Sequence, residues 1–197
     1  MFEHVSLPEL DFTIKQVNSD NGRKYVTPNG DSYPSVTTVL SSYNKQAILE
    51  WRQRVGDAEA NRISSQASRR GTAMHSYCEK YLLNEREYLK GIMPDAVEFF
   101  HSMKPYLNKI DNIHYQEQAL WSKQLGMAGR VDCIGEYEGE LSVIDFKTSK
   151  KIKTRESILD YFWQTTAYAL MYEELVGKPI NNLVIIMAVD NEQPLIF

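Results

Sequence analysis

The chain of 197 residues has 43% hydrophobic and 24% charged residues, which is typical of a globular protein and excludes a disordered or fibrous one. No apolar run approaches the roughly 18 residues of a membrane span, and the N-terminus has the features of neither a secretory signal nor an Arg-rich transit peptide. The net charge of −4 taken alone disfavours a nucleic-acid partner, but the distribution of charge matters more than its sum.

The two cysteines, Cys78 and Cys133, are far apart and in no CxxC spacing. This usage predicts a reducing compartment and argues against a structural zinc site or an iron–sulfur cluster. We interpret both residues as small buried hydrophobic side chains.

The first third of the chain predicts short strands and then helices. FTIKQV and RKYV, within residues 11–34, are each followed by turn-forming Asn, Pro and Gly residues. Ser35 is a predicted N-cap of the helix that follows it. Helical periodicity then covers about 45–56, 57–84 and 93–109. Gly71 marks a possible break in the second of these.

From about residue 113 the hydrophobic period changes to two, in YQEQALWS, MAGRVDCIGEY and ELSVIDFK, which predicts strands. Residues 158–176 predict a helix that ends at Gly177, with Pro179 beyond it. The β-branched run LVIIMAV predicts a buried strand, and PLIF predicts a short last strand.

This order of elements predicts an α/β protein with a mixed central sheet flanked by helices. We expect one domain, 1–197. Residues 1–110 would form an N-terminal hairpin and helical region, and residues 111–197 would form the sheet core.

One predicted hairpin, GRVDCIGEYEGELSVIDFKTSKK, carries acids inside its strands. With the turn at Glu138-Gly139, Asp132 faces Asp145 and their Cβ atoms lie about 5 Å apart. Like charges in this position are destabilising unless a shared proton, a basic neighbour or a metal ion neutralises them. We expect the opposite side of the hairpin to form the apolar core face, with Val131, Cys133, Ile144 and Phe146.

Lys147 favours a catalytic explanation of the acid pair over an ordinary solvated hairpin face. Asp-x-Lys on an extended strand projects both side chains into one pocket. Two carboxylates bind a hard divalent ion through oxygen, and a neighbouring lysine can orient water or stabilise charge on a phosphate. The set is suited to hydrolysing a phosphodiester.

Asp132, followed after a short hairpin by Asp145-Phe146-Lys147, resembles the core of the PD-(D/E)XK nucleases. GTAMHSYCE around His75 and Gln164-Thr-Thr-Ala-Tyr168 resemble motifs of the RecB-type exonuclease branch. YPSVTTVLSSYNKQAILEWRQRVG and GMAGRVDCIGEYEGELSVIDFKTSKK are similar to the mitochondrial genome-maintenance exonucleases and their phage relatives. The similarity runs from about residue 33 to 189, and Val stands before Asp132 where the family pattern has Pro.

The resemblance implies a restriction-endonuclease-like core with a catalytic Mg²⁺ or Mn²⁺ ion. The catalytic residues it implies are two acids and a lysine: Asp132, Asp145 and Lys147. The metal ligands it implies are a histidine, the same acids and a main-chain carbonyl: His75, Asp132, Asp145 and Phe146. Gln164 and Tyr168 would position the DNA or the active-site residues.

The run KTSKKIKTR holds five basic residues and no acid. Such a run is often a solvated loop, but this one follows the predicted active-site strand directly. We therefore expect it to contact the DNA backbone. The residues assigned to DNA in this way, together with a basic residue of the helical region, are Thr148, Ser149, Lys150, Lys151 and Arg70.

Several residues keep two explanations. Glu117 either completes the metal shell or is an exposed strand acid, and His75 without the resemblance would be a core histidine. Trp51 and Trp121 either pack or stack on bases. We expect Trp163 to belong to the helix core, together with Leu159, Phe162, Thr166 and Leu170.

We expect a Mg²⁺- or Mn²⁺-dependent DNA exonuclease that prefers single strands with free ends. It would be a monomer in the cytoplasm of a bacterium or phage-infected cell, with no membrane association and no iron–sulfur cluster. The alternatives are a structure-selective endonuclease on the same core, or a DNA-binding module that does not cleave. A small-molecule phosphohydrolase would not need the basic run.

Overall fold

A computed structural model of the chain describes residues 1–7, 14–20, 22–91 and 94–197. These ranges form two β-sheets and five α-helices. The start of the predicted strand FTIKQV and the first residue of the predicted helix 93–109 lie outside them. None of the helices in this part of the chain is both long and apolar enough to span a bilayer.

The N-terminal sheet is a small antiparallel one, built from the predicted turn-rich segment. Its strands are β1 (Lys15–Ser19), β2 (Gly22–Val26) and β3 (Ser32–Pro34). Helix α1 (Val36–Tyr43) follows at once, and the Ser35 hydroxyl accepts a hydrogen bond from the Thr38 N–H at 3.0 Å. The predicted N-cap is therefore confirmed.

Three further helices precede the main sheet: α2 (Lys45–Val55), α3 (Asp57–Leu82) and α4 (Pro94–Leu107). Helix α3 runs through Gly71 without interruption, so the predicted break is wrong. One glycine costs a helix only about 1 kcal/mol relative to alanine, and the residues after it anchor the helix. That anchor consists of Met74, Cys78 and Leu82, which are buried at four-residue spacing.

The main sheet has five strands in the order β4-β5-β6-β7-β8. They are β4 (Ile110–Ser122), β5 (Met127–Tyr137), β6 (Glu140–Ser149), β7 (Asn182–Val189) and β8 (Leu195–Ile196). Helix α5 (Leu159–Val176) connects β6 to its parallel neighbour β7, and the other pairs are antiparallel. Gly177 ends α5 in the left-handed conformation, with φ at 77°. The predicted α/β class with a mixed sheet is confirmed.

The sheet is apolar on both faces, and helices cover each one. Helices α3 and α4 cover one face, where Phe100 of α4 packs with Cys133, Ile144, Phe146 and Ile186 of the sheet. Helix α5 covers the other face, where its Met171 and Tyr172 pack with Val131, Ile134 and Val143 of the sheet.

The turn of the acidic hairpin lies where the sequence predicts it. Glu138 and Gly139 both have positive φ, 52° and 88°, and the ladder runs from the Tyr137–Glu140 pair to the Cys133–Ile144 pair in the predicted register. Val131 does not share a face with Cys133, however, because it packs in the cluster beneath α5. Its predicted place on the opposite side is wrong.

An irregularity in β4 explains the displacement of Val131. The β4–β5 ladder pairs Gln116 with Cys133 and Gln118 with Val131, and it omits Glu117 between them. Glu117 has a φ of +45°, which side chains rarely adopt in a strand. The alternation of the two strands is therefore interrupted at Glu117 and at Asp132 opposite it.

Candidate active site

Asp132 links β5 to β6 just beyond the Cys133–Ile144 pair, which is the last regular pair of the hairpin. Its Oδ2 accepts a hydrogen bond from the Phe146 N–H at 2.8 Å, and its Oδ1 lies 3.3 Å from Nδ1 of His75 on α3. Burial alone would raise the pKa of Asp132, but the hydrogen bond and charge of His75 outweigh it and lower the pKa. Asp132 is therefore a buried carboxylate held in its charged form.

Three side chains that could ligate a metal come together where α3, β4 and β5 meet, and we call this cluster the cation pocket. The ligand atoms of His75, Glu117 and Asp132 all lie within 4.8 Å of one another, and His75 Nδ1 is 3.8 Å from the Glu117 carboxylate. Burial would lower the pKa of His75, but the two carboxylates raise it to about 10. So negative a site suits a divalent cation, for which two carboxylates and one imidazole are donors.

Asp145 and Lys147 form a second cluster beside this pocket. Asp145 is 1% exposed, and its Oδ2 makes an ion pair with the Lys147 ammonium. Burial raises the pKa of Asp145, Lys147 opposes the shift, and the Asp132 carboxylate adds to it, which gives a value of about 6. Burial would lower the pKa of Lys147, but Asp145 and Asp132 raise it, so the lysine is charged at neutral pH.

The predicted ligands thus divide between the two clusters. His75 and Asp132 meet in the cation pocket with Glu117, whereas Asp145 contacts Lys147 instead. Phe146 contributes its N–H to Asp132, and the role of its carbonyl as a ligand stays a prediction.

The side of α5 that faces the sheet holds Asp145 in place. Gln164 Nε2 donates to Asp145 Oδ1 at 3.2 Å and to the Tyr168 hydroxyl at 3.4 Å. A Cβ atom on Gly129 would lie 2.7 Å from the Tyr168 ring, so glycine is what allows this ring to reach the site. Gln164 therefore contacts Asp145 directly and Tyr168 contacts Gln164, and the contact of either residue with DNA stays a prediction.

Tyr161 is a site residue that the sequence analysis missed. The Lys147 ammonium lies 5.0 Å from the centre of the Tyr161 ring, within the range of a cation–π interaction. Tyr161 precedes Gln164 by three residues and Tyr168 by seven, so all three side chains share one face of α5. That spacing is the signal that would have identified it.

The predicted DNA-binding residues differ in whether their side chains already bond other parts of the protein. Arg70 donates to both carboxylate oxygens of Asp190 at 2.8 Å and lies over the Phe99 ring, so it connects α3 to the end of β7. The Ser149 hydroxyl is bonded to the main chain of Lys151, and Thr148 is half-buried. The side chains of Lys150 and Lys151 are exposed.

The predicted burial of Trp163 is wrong. Trp163 is 43% exposed, and Leu159 and Leu170 on the same stripe of α5 are similarly exposed. The buried residues of α5 are instead Gln164, Thr165, Ala167, Tyr168, Ala169, Met171 and Tyr172. Helix α5 presents to the sheet Gln164, which bonds Asp145, and Tyr168, which bonds Gln164, so the stripe of Trp163, Leu159 and Leu170 faces outward. Trp121 is half-buried and packs with Tyr25 and Ala128, and Trp51 is half-buried as well.

Comparison with known proteins agrees with this geometry. The sequence profile described as the PD-(D/E)XK nuclease superfamily matches residues 38–191. Mitochondrial genome maintenance exonuclease 1 of Homo sapiens is 31% identical over 146 residues, which are 68% of this chain and 42% of that protein. The Xenopus tropicalis protein of the same name is 28% identical over 203 residues, 96% of this chain and 58% of that protein.

The chain therefore spans about half the length of the curated relatives it matches. The superfamily profile, by contrast, extends from α1 to just past β7, so it includes the cation pocket and the Asp145–Lys147 pair. Because that profile covers most of the chain, the chain belongs to the PD-(D/E)XK nuclease superfamily.

Proposed function

We propose that the protein is a divalent-metal-dependent DNA exonuclease that digests single strands from a free end. The observation that carries this proposal is the position of Asp132. Asp132 lines the cation pocket together with His75. It also accepts a hydrogen bond from the N–H of Phe146, which lies between Asp145 and Lys147 in the chain. An ion site and a charged lysine are therefore neighbours in a nuclease fold, and the relatives named above are called exonucleases.

His75, Glu117 and Asp132 would hold the Mg²⁺ or Mn²⁺ ion, with Asp145 beside them. When bound, such an ion supplies Lewis-acid polarisation and neutralises charge on a phosphodiester. Glu117, for which the sequence left two explanations, is assigned here to the metal because its carboxylate lies 3.8 Å from His75 Nδ1 in the same cluster as Asp132.

The chain's own groups have separate tasks in this proposal. Lys147 stays charged and stabilises the negative charge that develops on the phosphate. Asp145 holds that ammonium from one side and Tyr161 from another, while Gln164 fixes Asp145. The exposed Lys150 and Lys151 bind the incoming backbone.

The requirement for a free end rests on the helices before the sheet. Helix α2 has no buried residue, and α3 has none between Ala60 and Met74. The pKa of Glu59 on α3 is lowered mainly by its hydrogen bond to Arg62, and to the smallest extent by the charge of Lys150. We propose that this helical span, α2 and the first half of α3, closes over the strand as an arch, and a closed arch admits a strand only by an end.

Digestion of four substrates tests this function: a linear single strand, a circular single strand of similar length, a duplex, and the linear strand with chelator. We expect rapid Mg²⁺-dependent digestion of the linear strand, slow digestion of the duplex and almost none of the circle. Comparable cleavage of the circle would exclude threading and favour the structure-selective endonuclease. Binding of the linear strand without any cleavage would favour the non-cleaving module.

A further inference from the structure

An exposed aromatic pair lies outside the catalytic centre. Trp163 on α5 is 43% exposed and Tyr43 at the end of α1 is 74% exposed. Their ring centres are 5.2 Å apart and their planes are nearly perpendicular, at 86°. Exposed aromatic pairs of this kind leave ring surface available to a ligand.

The pair lies on the outward side of α5, across the helix from the catalytic centre. Trp163 directly precedes Gln164, whose side chain contacts Asp145. Tyr43 is the last residue of α1, immediately before the chain enters α2 and the helical span proposed to enclose the strand. A strand that leaves the catalytic centre and passes around α5 therefore reaches Trp163.

The charge around the pair indicates the chemistry of its ligand. The Arg155 guanidinium lies 4.5 Å from the centre of the Phe162 ring, next to Trp163 in the chain. Arg155 also ends the run of five basic residues without an acid, and α1 has no charged residue at all. Phe162 itself is half-buried, so this cation lies near the exposed pair and not over it. A basic run that ends near exposed aromatic rings suits a polyanion that offers flat rings of its own, which is a single-stranded nucleic acid.

We propose that Tyr43 and Trp163 form a stacking platform for unpaired bases of the DNA strand, across α5 from the catalytic centre. This inference rests on the proposed function and adds a base-binding site to it. Stacking does not read base identity, so the platform binds any sequence. A duplex is excluded because its base faces are covered.

Binding measurements in a Lys147→Ala background test the platform, because that background prevents digestion. We expect Trp163→Ala to weaken the binding of a fluorescent single-stranded oligonucleotide about tenfold, and Tyr43→Ala to weaken it less. Trp163→Phe keeps a ring and should retain most of the affinity. Leu170→Ala removes an exposed side chain from the same stripe and should leave the affinity unchanged.

An oligonucleotide with abasic positions separates stacking from charge, because it keeps every phosphate. Abasic substitution should weaken binding by the background protein but cause little further loss in the Trp163→Ala variant. Equal losses in both proteins would overturn the platform. So would unchanged DNA binding accompanied by a change in oligomeric state, which would identify the stripe as a protein interface. If the unmutated protein neither binds nor digests single strands, the proposed function fails as well.

Discussion

The two long sides of α5 show opposite relations between polarity and burial. The side facing the sheet buries Gln164 and Tyr168, whereas the outward side exposes Trp163 and Leu170. A surface helix usually buries its apolar stripe. Here the buried Asp145 needs hydrogen-bond donors, and an unsatisfied buried carboxylate costs more than an exposed leucine. The chemistry beneath the helix therefore determines its orientation.

The largest expected effect of this difference is on stability. Met171 is fully buried, whereas its neighbour Leu170 is 45% exposed. Met171→Ala should lower the free energy of unfolding by about 2–5 kcal/mol, because it leaves a cavity. Leu170→Ala should change it by less than about 0.5 kcal/mol. Urea denaturation measures both, and similar losses would mean that α5 is oriented differently.

Gln164 links the sheet-facing side to cleavage. Gln164→Leu removes a donor from Asp145, and a hydrogen bond to a charged group is worth about 1.5–3 kcal/mol. We expect the single-turnover cleavage rate to fall about 30-fold. Thr166→Val on the outward side is the matched control and should cleave normally. Equal rates in the two variants would remove Gln164 from the site.

Tyr161 should affect the same rate more weakly. Its ring is proposed to hold the Lys147 ammonium, and a partly desolvated cation–π contact contributes about 1–2 kcal/mol. Tyr161→Leu should slow cleavage about tenfold, while Tyr161→Phe, which keeps the ring, should restore most of the rate. If the Phe variant is as slow as the Leu variant, the hydroxyl rather than the ring is what matters.

The smallest expected effect is the pH dependence of stability. It arises in the site alone, because the outward stripe of α5 has no ionisable group. The folded-state pKa of His75 is raised from 6.5 to about 10. In the metal-free protein its stabilising contribution is therefore complete below pH 6.5 and is lost as the pH rises through 10. Metal binding requires neutral imidazole, so stabilisation by Mg²⁺ should instead increase with pH.

Melting temperatures of the unmutated and His75→Gln proteins, each with chelator and with Mg²⁺, measure this difference. Without metal, the melting temperatures of the two proteins should differ most at low pH. With Mg²⁺, they should differ most at high pH. A difference that does not vary with pH would show that His75 neither titrates with the site nor binds the ion.

Local patterns in the sequence predicted most of the fold. Period-two strands and a turn at Glu138-Gly139 sufficed for the hairpin and its register. The Asp145–Lys147 pair follows from the two-residue period of β6. The interruption at Glu117 was not predictable, because no local preference favours a left-handed glutamate in a strand. Glu117 is part of the cation pocket, and that pocket joins three elements that are distant in sequence, so local patterns did not predict it.

The orientation of α5 was mispredicted for a related reason. The helix is apolar around much of its circumference, so hydrophobic periodicity gives no clear inward side. The acids beneath it supply the missing information, and they become its neighbours only in the folded protein. The Gln164–Tyr168 motif was the better guide to the buried side, because polar residues with partners in the site must face it.

Single-turnover cleavage of a linear single strand with Mg²⁺ tests the central claim, that Asp132, Asp145 and Lys147 form the cleavage centre. Asp145→Ala and Lys147→Ala should each cleave at about one thousandth of the unmutated rate or below it. Lys147→Ala should still bind the strand, because it leaves the cation pocket intact. Cleavage near the unmutated rate by either variant would contradict the account.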